Sequence, residues 1–130
     1  MSISVDVDAL REAMAGRQQC YLLTVADDGR PHAVAVRPEL ANARFAVGTG
    51  QKSSAYAAAR PAVSLVWPPN EAGGYTLIAD GTATVSGQSV QIDPTRAVLH
   101  RAGSPAGGES RSDDVACVSD CVPLVRQPSP

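Results

Sequence analysis

The chain has 130 residues, of which 44% are hydrophobic and 18% charged, with a formal net charge of −2. This is room for one globular domain with a real core, expected over residues 1–125 and followed by a tail at 126–130. The balance of charge argues against a nucleic-acid surface, and the lack of an apolar run of about 18 residues or of a basic-then-apolar start argues against a membrane span or a signal peptide.

The chain opens with a helical pattern from Val5 to Ala15, with apolar residues at Val5, Ala9, Leu10, Ala13 and Met14 on one face. Ser4 or Asp6 is available as the N-cap and Gly16 as the stop. Cys20 to Val25 reads as a strand rich in β-formers. Asp27-Asp28-Gly29-Arg30-Pro31 is a strong turn signal, and His32 to Val36 is the second arm of a hairpin. Pro38 to Ala43 reads as a connecting turn around Asn42, and Arg44 to Gly48 as a third strand.

The next stretch, Thr49-Gly50-Gln51-Lys52-Ser53-Ser54, holds the lone lysine of the chain. It lies between an apolar strand and an Ala-rich helix running from Lys52 to Arg60, which Pro61 stops. A strand-to-helix turn of small residues exposes backbone N–H groups at the positive end of the helix dipole, which suits an anion such as a phosphate. An ordinary helix start, with Ser53 as N-cap and Lys52 solvated, explains the same residues.

Ala62 to Trp67 is a buried strand closed by Pro68-Pro69-Asn70. Tyr75 to Ala79 and Thr82 to Val85 form one long strand with a bulge at Asp80-Gly81. Pro94 to Arg101 reads as a short helix, with Asp93 as N-cap and Pro94 at the first position. Gly103 to Asp114 reads as a loop and Val115 to Val125 as a last strand. Short strands with tight turns and few helices predict an antiparallel barrel or sandwich.

Four pieces, in this order, resemble the split β-barrels of the pyridoxamine 5′-phosphate oxidase-like superfamily. They are Leu22-Leu23-Thr24-Val25 with Asp28-Gly29-Arg30-Pro31-His32, the Thr49–Ser53 turn, Arg60-Pro61-Ala62-Val63-Ser64-Leu65-Val66-Trp67, and Ile78-Ala79-Asp80-Gly81-Thr82-Ala83-Thr84-Val85. The resemblance implies a mainly β, six-stranded antiparallel split barrel that forms a homodimer with a cofactor cleft at the interface. It implies FMN or the 8-hydroxy-5-deazaflavin coenzyme as cofactor, and an oxidoreductase acting on a small molecule. A barrel that binds a cofactor or ligand without turnover is the alternative. By position, Lys52 meets the cofactor phosphate, with Thr49, Gly50, Gln51 and Ser53 around it. Val34, Ala35, Val36 and Arg37 lie along the ring, and Trp67 lies near the cleft or the dimer contact. Val34 and Gln51 stand where the oxidases proper carry arginines, which directs the expectation away from vitamin synthesis.

Among other candidates, His32 reads as a strand-start surface histidine or a ring contact, and His100 as solvated. Tyr21, Tyr56 and Tyr75 are candidates for a ring pocket or for the core. Arg60 reads as a helix C-cap or a phosphate contact. Cys20 is a small buried hydrophobe, and Cys117 and Cys121, four apart, do not have zinc-knuckle spacing. The odd number of cysteines is consistent with a reducing, cytoplasmic setting.

Overall fold

A computed structural model of the chain describes residues 2–103. Ser2–Arg101 form one compact unit. The loop beyond Gly103, the strand expected at Val115–Val125, Cys117, Cys121 and the tail lie outside the described residues.

The unit is built from eight strands and two short α-helices. Strand β1 is Ser2–Ser4, and a 3-10 turn at Val7–Ala9 leads into α1, Leu10–Met14. The single helix expected over Val5–Ala15 is therefore a 3-10 turn joined to a short α-helix. The hairpin follows as β2, Tyr21–Val25, and β3, Pro31–Ala35, with Gly29 at φ 88° in the turn. β4 is Glu39–Ala41 and β5 is Arg44–Gly48. The turn expected over Pro38–Ala43 thus hides a strand. Asn42 and Ala43 have φ of 54° and 61°, so two left-handed residues close a tight β4–β5 hairpin that matches the strand twist.

Helix α2, Gln51–Ala59, is followed by β6, Ala62–Trp67, β7, Thr76–Ser86, and β8, Ser89–His100. β8 replaces the helix expected at Pro94–Arg101. Proline at a first helical position and proline at a strand irregularity look alike in sequence, because neither needs the missing N–H. Here Gly81 pairs with Pro94 and Asp80 with Arg96, so Thr95 is an extra residue and Pro94 sits at a bulge.

The sheet runs β3-β2-β6-β7-β8-β5-β4, with β1 also paired to β8. All pairings are antiparallel. Among the described residues β3 and β4, at the two ends, do not pair, so the sheet is curled but not closed. Six strands have five or more residues; β1 and β4 have three each, which raises the expected six to eight. β8 bridges the two halves. Its first part pairs with β5, its last part with β1, and nearly its whole length with β7.

The core lies on the concave side. Leu22, Leu65, Leu77, Phe45, Val47, Val90 and Ile92 are at most 1% exposed, as period-2 alternation requires. α2 packs Ala57 into this core and lies against β2 and β7. At its C-terminal end Arg60 Nε donates to the Val25 carbonyl at 2.8 Å, and a terminal nitrogen pairs with Asp27 at 2.6 Å. That arginine ties the helix to the β2–β3 turn.

The bulge depends on a close approach. A Cβ at Gly81 would lie 2.6 Å from the Asp93 carbonyl oxygen and 2.6 Å from Ile92 Cγ2. Gly81→Ala is therefore expected to lower the unfolding free energy by about 1–3 kcal/mol in urea melts. Thr82→Ala, exposed next to it, should stay within about 1 kcal/mol of the parent chain. Equal losses from the two substitutions would show that the approach at Gly81 does not matter.

Candidate functional site

A groove of about 680 Å³ opens where the start of β2, the end of β3 and the end of β5 come together. One wall is Gln18, Gln19, Cys20 and Tyr21; the other is Ala35, Val36 and Arg37; Gly48 forms part of its floor. Three residues expected along a cofactor ring thus lie in one groove. Of these Val36 also packs against the core, and the fourth, Val34, packs there without lining the groove.

β3 is an edge strand, and its hydrogen-bonding phase decides which backbone groups are available. Val36 N–H donates to the Cys20 carbonyl at 2.9 Å. In an antiparallel ladder the amide and carbonyl of one residue point to the same side, and alternate residues point opposite ways. Val34 and Val36 therefore turn their backbone groups to β2. Ala35 and Arg37 turn theirs to the open edge, along the groove.

From Gly48 the chain passes through Thr49 and Gly50 into α2. Thr49 N–H donates to the Gln88 carbonyl at 3.0 Å, which fixes the turn to the β7–β8 connection. The N-cap is Gly50 rather than Ser53; it has extended backbone and no side-chain cap. Ser53 sits one turn further in and is 2% exposed. Ser54 N–H is the first to find a helical acceptor, Gly50 O at 3.0 Å. The amides of Gln51, Lys52 and Ser53 have no acceptor among the described residues. A helix start with three open N–H groups carries a partial positive charge. Lys52 is exposed there and makes no ion pair among the described residues.

The other candidates are placed as follows. Trp67 is 3% exposed and packs on Phe45, with ring centroids 5.6 Å apart, so its indole belongs to the core. Tyr21 reaches the groove. Tyr56 meets His32 edge to face at 5.1 Å, and the Arg101 guanidinium lies 4.6 Å over the ring of Tyr75. His100 is at the end of β8 rather than on a helix and is within 3.0 Å of Ser2 Oγ. Arg60 is committed to β2 and its turn. Burial pushes the Cys20 thiol up to about 12, so at neutral pH it is an unreactive wall of the groove. Glu39, Asn42, Arg44 and Gln91 line a second depression of about 470 Å³, where Arg44 already pairs with Asp93 at 2.6 Å.

Gln18, Gln19 and Gly48 have no motif around them, and nothing in the local sequence marks them as part of a site. Among the described residues no group of three or more His, Cys, Asp or Glu side chains is placed to hold a metal ion. Among them, no helix is long and apolar enough to cross a membrane.

No family model matches the chain. It is 36% identical over 135 residues to an uncharacterized protein of Mycobacterium bovis, a match that covers 91% of this chain and 93% of that one. Among solved structures it is similar to a FAD-binding protein from Mesorhizobium loti, with a TM-score of 0.60 and 13% identity over 79% of this chain and 98% of that one. It is also similar to a Clostridium acetobutylicum protein of the pyridoxinephosphate oxidase family, related to a general stress protein of Bacillus subtilis. That match has a TM-score of 0.59 and 11% identity over 75% of this chain and 91% of the other. The chain therefore belongs to the same family as the mycobacterial protein, and its curled antiparallel sheet has the fold of the pyridoxamine 5′-phosphate oxidase-like, flavin-binding split barrels.

Proposed function

We propose that this chain is a flavin- or deazaflavin-dependent oxidoreductase acting on a small molecule, with the ring in the β2–β3–β5 groove and the phosphate at the start of α2. One observation carries the reading. Arg37 and Lys52 are the cations without a partner among the described residues, and they stand at the groove and at the helix start reached from its floor. The other described arginines are engaged with carboxylates, backbone carbonyls or the ring of Tyr75.

The residues present fit such a group. The groove volume is within the ~300–1,000 Å³ usual for small-molecule sites. Three open amides and a lysine suit a phosphate. The edge groups of Ala35 and Arg37 suit a polar ring face. When bound, the ring itself supplies hydride or electron transfer. The chain's own part is to hold the phosphate, orient the ring and keep water off it.

The same reading includes a homodimer, a cytoplasmic setting and a barrel of the split type. The convex side of the sheet supports the dimer. Pairing aligns Ala35, Tyr21, Val66 and Ile78 in one row across four strands. None of these packs with the concave core. A row of apolar side chains on the outer face suits burial against a second copy. The alternative is a barrel that binds a cofactor or ligand without turnover.

Titration of the purified chain with FMN and with the 8-hydroxy-5-deazaflavin coenzyme tests the reading, and dye reduction by the bound, reduced cofactor separates enzyme from binding protein. Lys52→Ala is expected to weaken FMN binding by about 1.5–3 kcal/mol. An unchanged affinity would remove Lys52 as the anchor. Light scattering should give a dimer, and Val66→Arg should shift it to monomer; a parent chain that is already monomeric excludes the shared cleft.

A further inference from the structure

Gln18 and Gln19 lie in the connection between α1 and β2, which has no regular hydrogen-bonded structure of its own. Such a segment is ordinarily mobile, yet this one is fixed from two sides. Arg17 donates to three carbonyls: Nε to Ala13 at 3.0 Å, and one terminal nitrogen to Trp67 at 3.1 Å and Tyr75 at 2.7 Å. Its guanidinium pKa is lowered by burial, consistent with a cation used as a staple under the segment. Asn70 completes the fixing. Its Oδ1 accepts from Gln18 N–H at 3.0 Å and its Nδ2 donates to the Gly16 carbonyl at 2.7 Å.

The backbone on both sides is held, while neither glutamine side chain has a hydrogen-bond partner among the described residues. Both line the groove together with Ala35 and Arg37, and both also border a smaller pocket with Pro68, Pro69 and Asn70. The backbone is braced, so the ordering needed when a ligand arrives is confined to the two exposed carboxamide side chains. Each carboxamide offers two donors and an acceptor and carries no charge. The complementary ligand is therefore a neutral planar edge that alternates acceptor and donor, unlike the anion that suits Lys52.

We infer that Gln18 and Gln19 are specificity residues that read the dione edge (carbonyl, N–H, carbonyl) of the ring in the groove. This rests on the cofactor reading above and deepens it. The edge is common to flavins and 5-deazaflavins, so these two residues select a ring of this class over other phosphorylated ligands without choosing between the two rings. The phosphate end and the ring end are then read by separate parts of the chain, α2 and the α1–β2 connection.

Phosphate-free rings separate the two ends. Affinities of the full chain for riboflavin, 8-hydroxy-5-deazariboflavin and FMN are measured by fluorescence titration for the parent, Gln18→Leu, Gln19→Leu and Lys52→Ala. Each leucine variant is expected to lose about three- to tenfold in affinity for whichever ring binds, with or without phosphate, as one lost hydrogen bond implies. Lys52→Ala should lose affinity for FMN and keep it for riboflavin. Thermal melting of the leucine variants at the parent temperature shows that the fold is intact. If the parent binds a ring and both leucine variants bind it within twofold of the parent, the assignment of the glutamines is overturned while the cofactor reading stands. If the parent binds no ring and no FMN, both fall together.

Discussion

The unit depends on the bulge between β7 and β8. Gly81 on one strand and the Pro94–Arg96 segment on the other let a long antiparallel pair change direction in the middle. Without that bend β8 could not pair with β5 at its start and with β1 at its end. Asp80 secures the bend from the convex side. Its carboxylate accepts from Ser64 Oγ at 2.6 Å on β6 and from Arg96 at 3.2 Å on β8. Thr95, the extra residue, donates its hydroxyl to the Asp80 carbonyl at 3.3 Å. Exposed ion pairs contribute little singly, but this carboxylate links three strands at the point where the ladder is irregular.

That bend sets up the groove. By carrying β5 round toward the start of β2, it brings Gly48 beside Tyr21 and Ala35 although these residues are distant in the chain. The turn into α2 then begins on the groove floor, so a helix start with open amides stands next to an edge strand with open backbone groups. A chain with a net charge of −2 thus has a local positive end without a basic surface. Arg37 and Lys52 provide it because the other arginines are spent on the fold. Arg60 holds the β2–β3 turn, Arg44 pairs with Asp93 and Arg17 staples the α1–β2 connection.

Much of the fold was legible because its punctuation is local. Asp28-Gly29 marked the first hairpin, Gly48 and Pro61 bounded the strand and helix around Lys52, and Asp80-Gly81 marked the bulge. The misread elements are those whose local signals have two physical meanings. Asp93-Pro94 satisfies a helix start as well as a strand bulge, and only the partner strand, with Gly81 opposite, decides between them. Glu39–Ala41 is a strand because β5 is beside it; three residues with no alternation of their own give no sign of this. The helix expected from Lys52 starts one residue earlier, at Gln51, and its cap lies three residues before Ser53, a good cap by propensity, because the fold places Gly50 there and buries Ser53. Of the groove, Ala35 to Arg37 could be reached by resemblance, as could the α2 turn outside its lining, and Tyr21 as one of three aromatics. Gln18 and Gln19 could not, since the backbone at Gln18 is fixed by Asn70, 52 residues away.

The order of the strands also has a consequence for how the protein is made. Before residues 89–100 exist, the described part of the chain consists of a four-stranded piece, β3-β2-β6-β7, and a separate β4–β5 hairpin, with β1 paired to nothing. β8 is the strand that joins all three, and Ser2 meets His100 only at its end. A nascent chain emerging from the ribosome therefore carries unmatched strand edges on β7, β5 and β1 until nearly the whole unit has been synthesised. Pairings this distant close slowly, and open edges are where chains aggregate. Synthesis of this curled sheet thus has a late, vulnerable interval that ends when its last described strand docks.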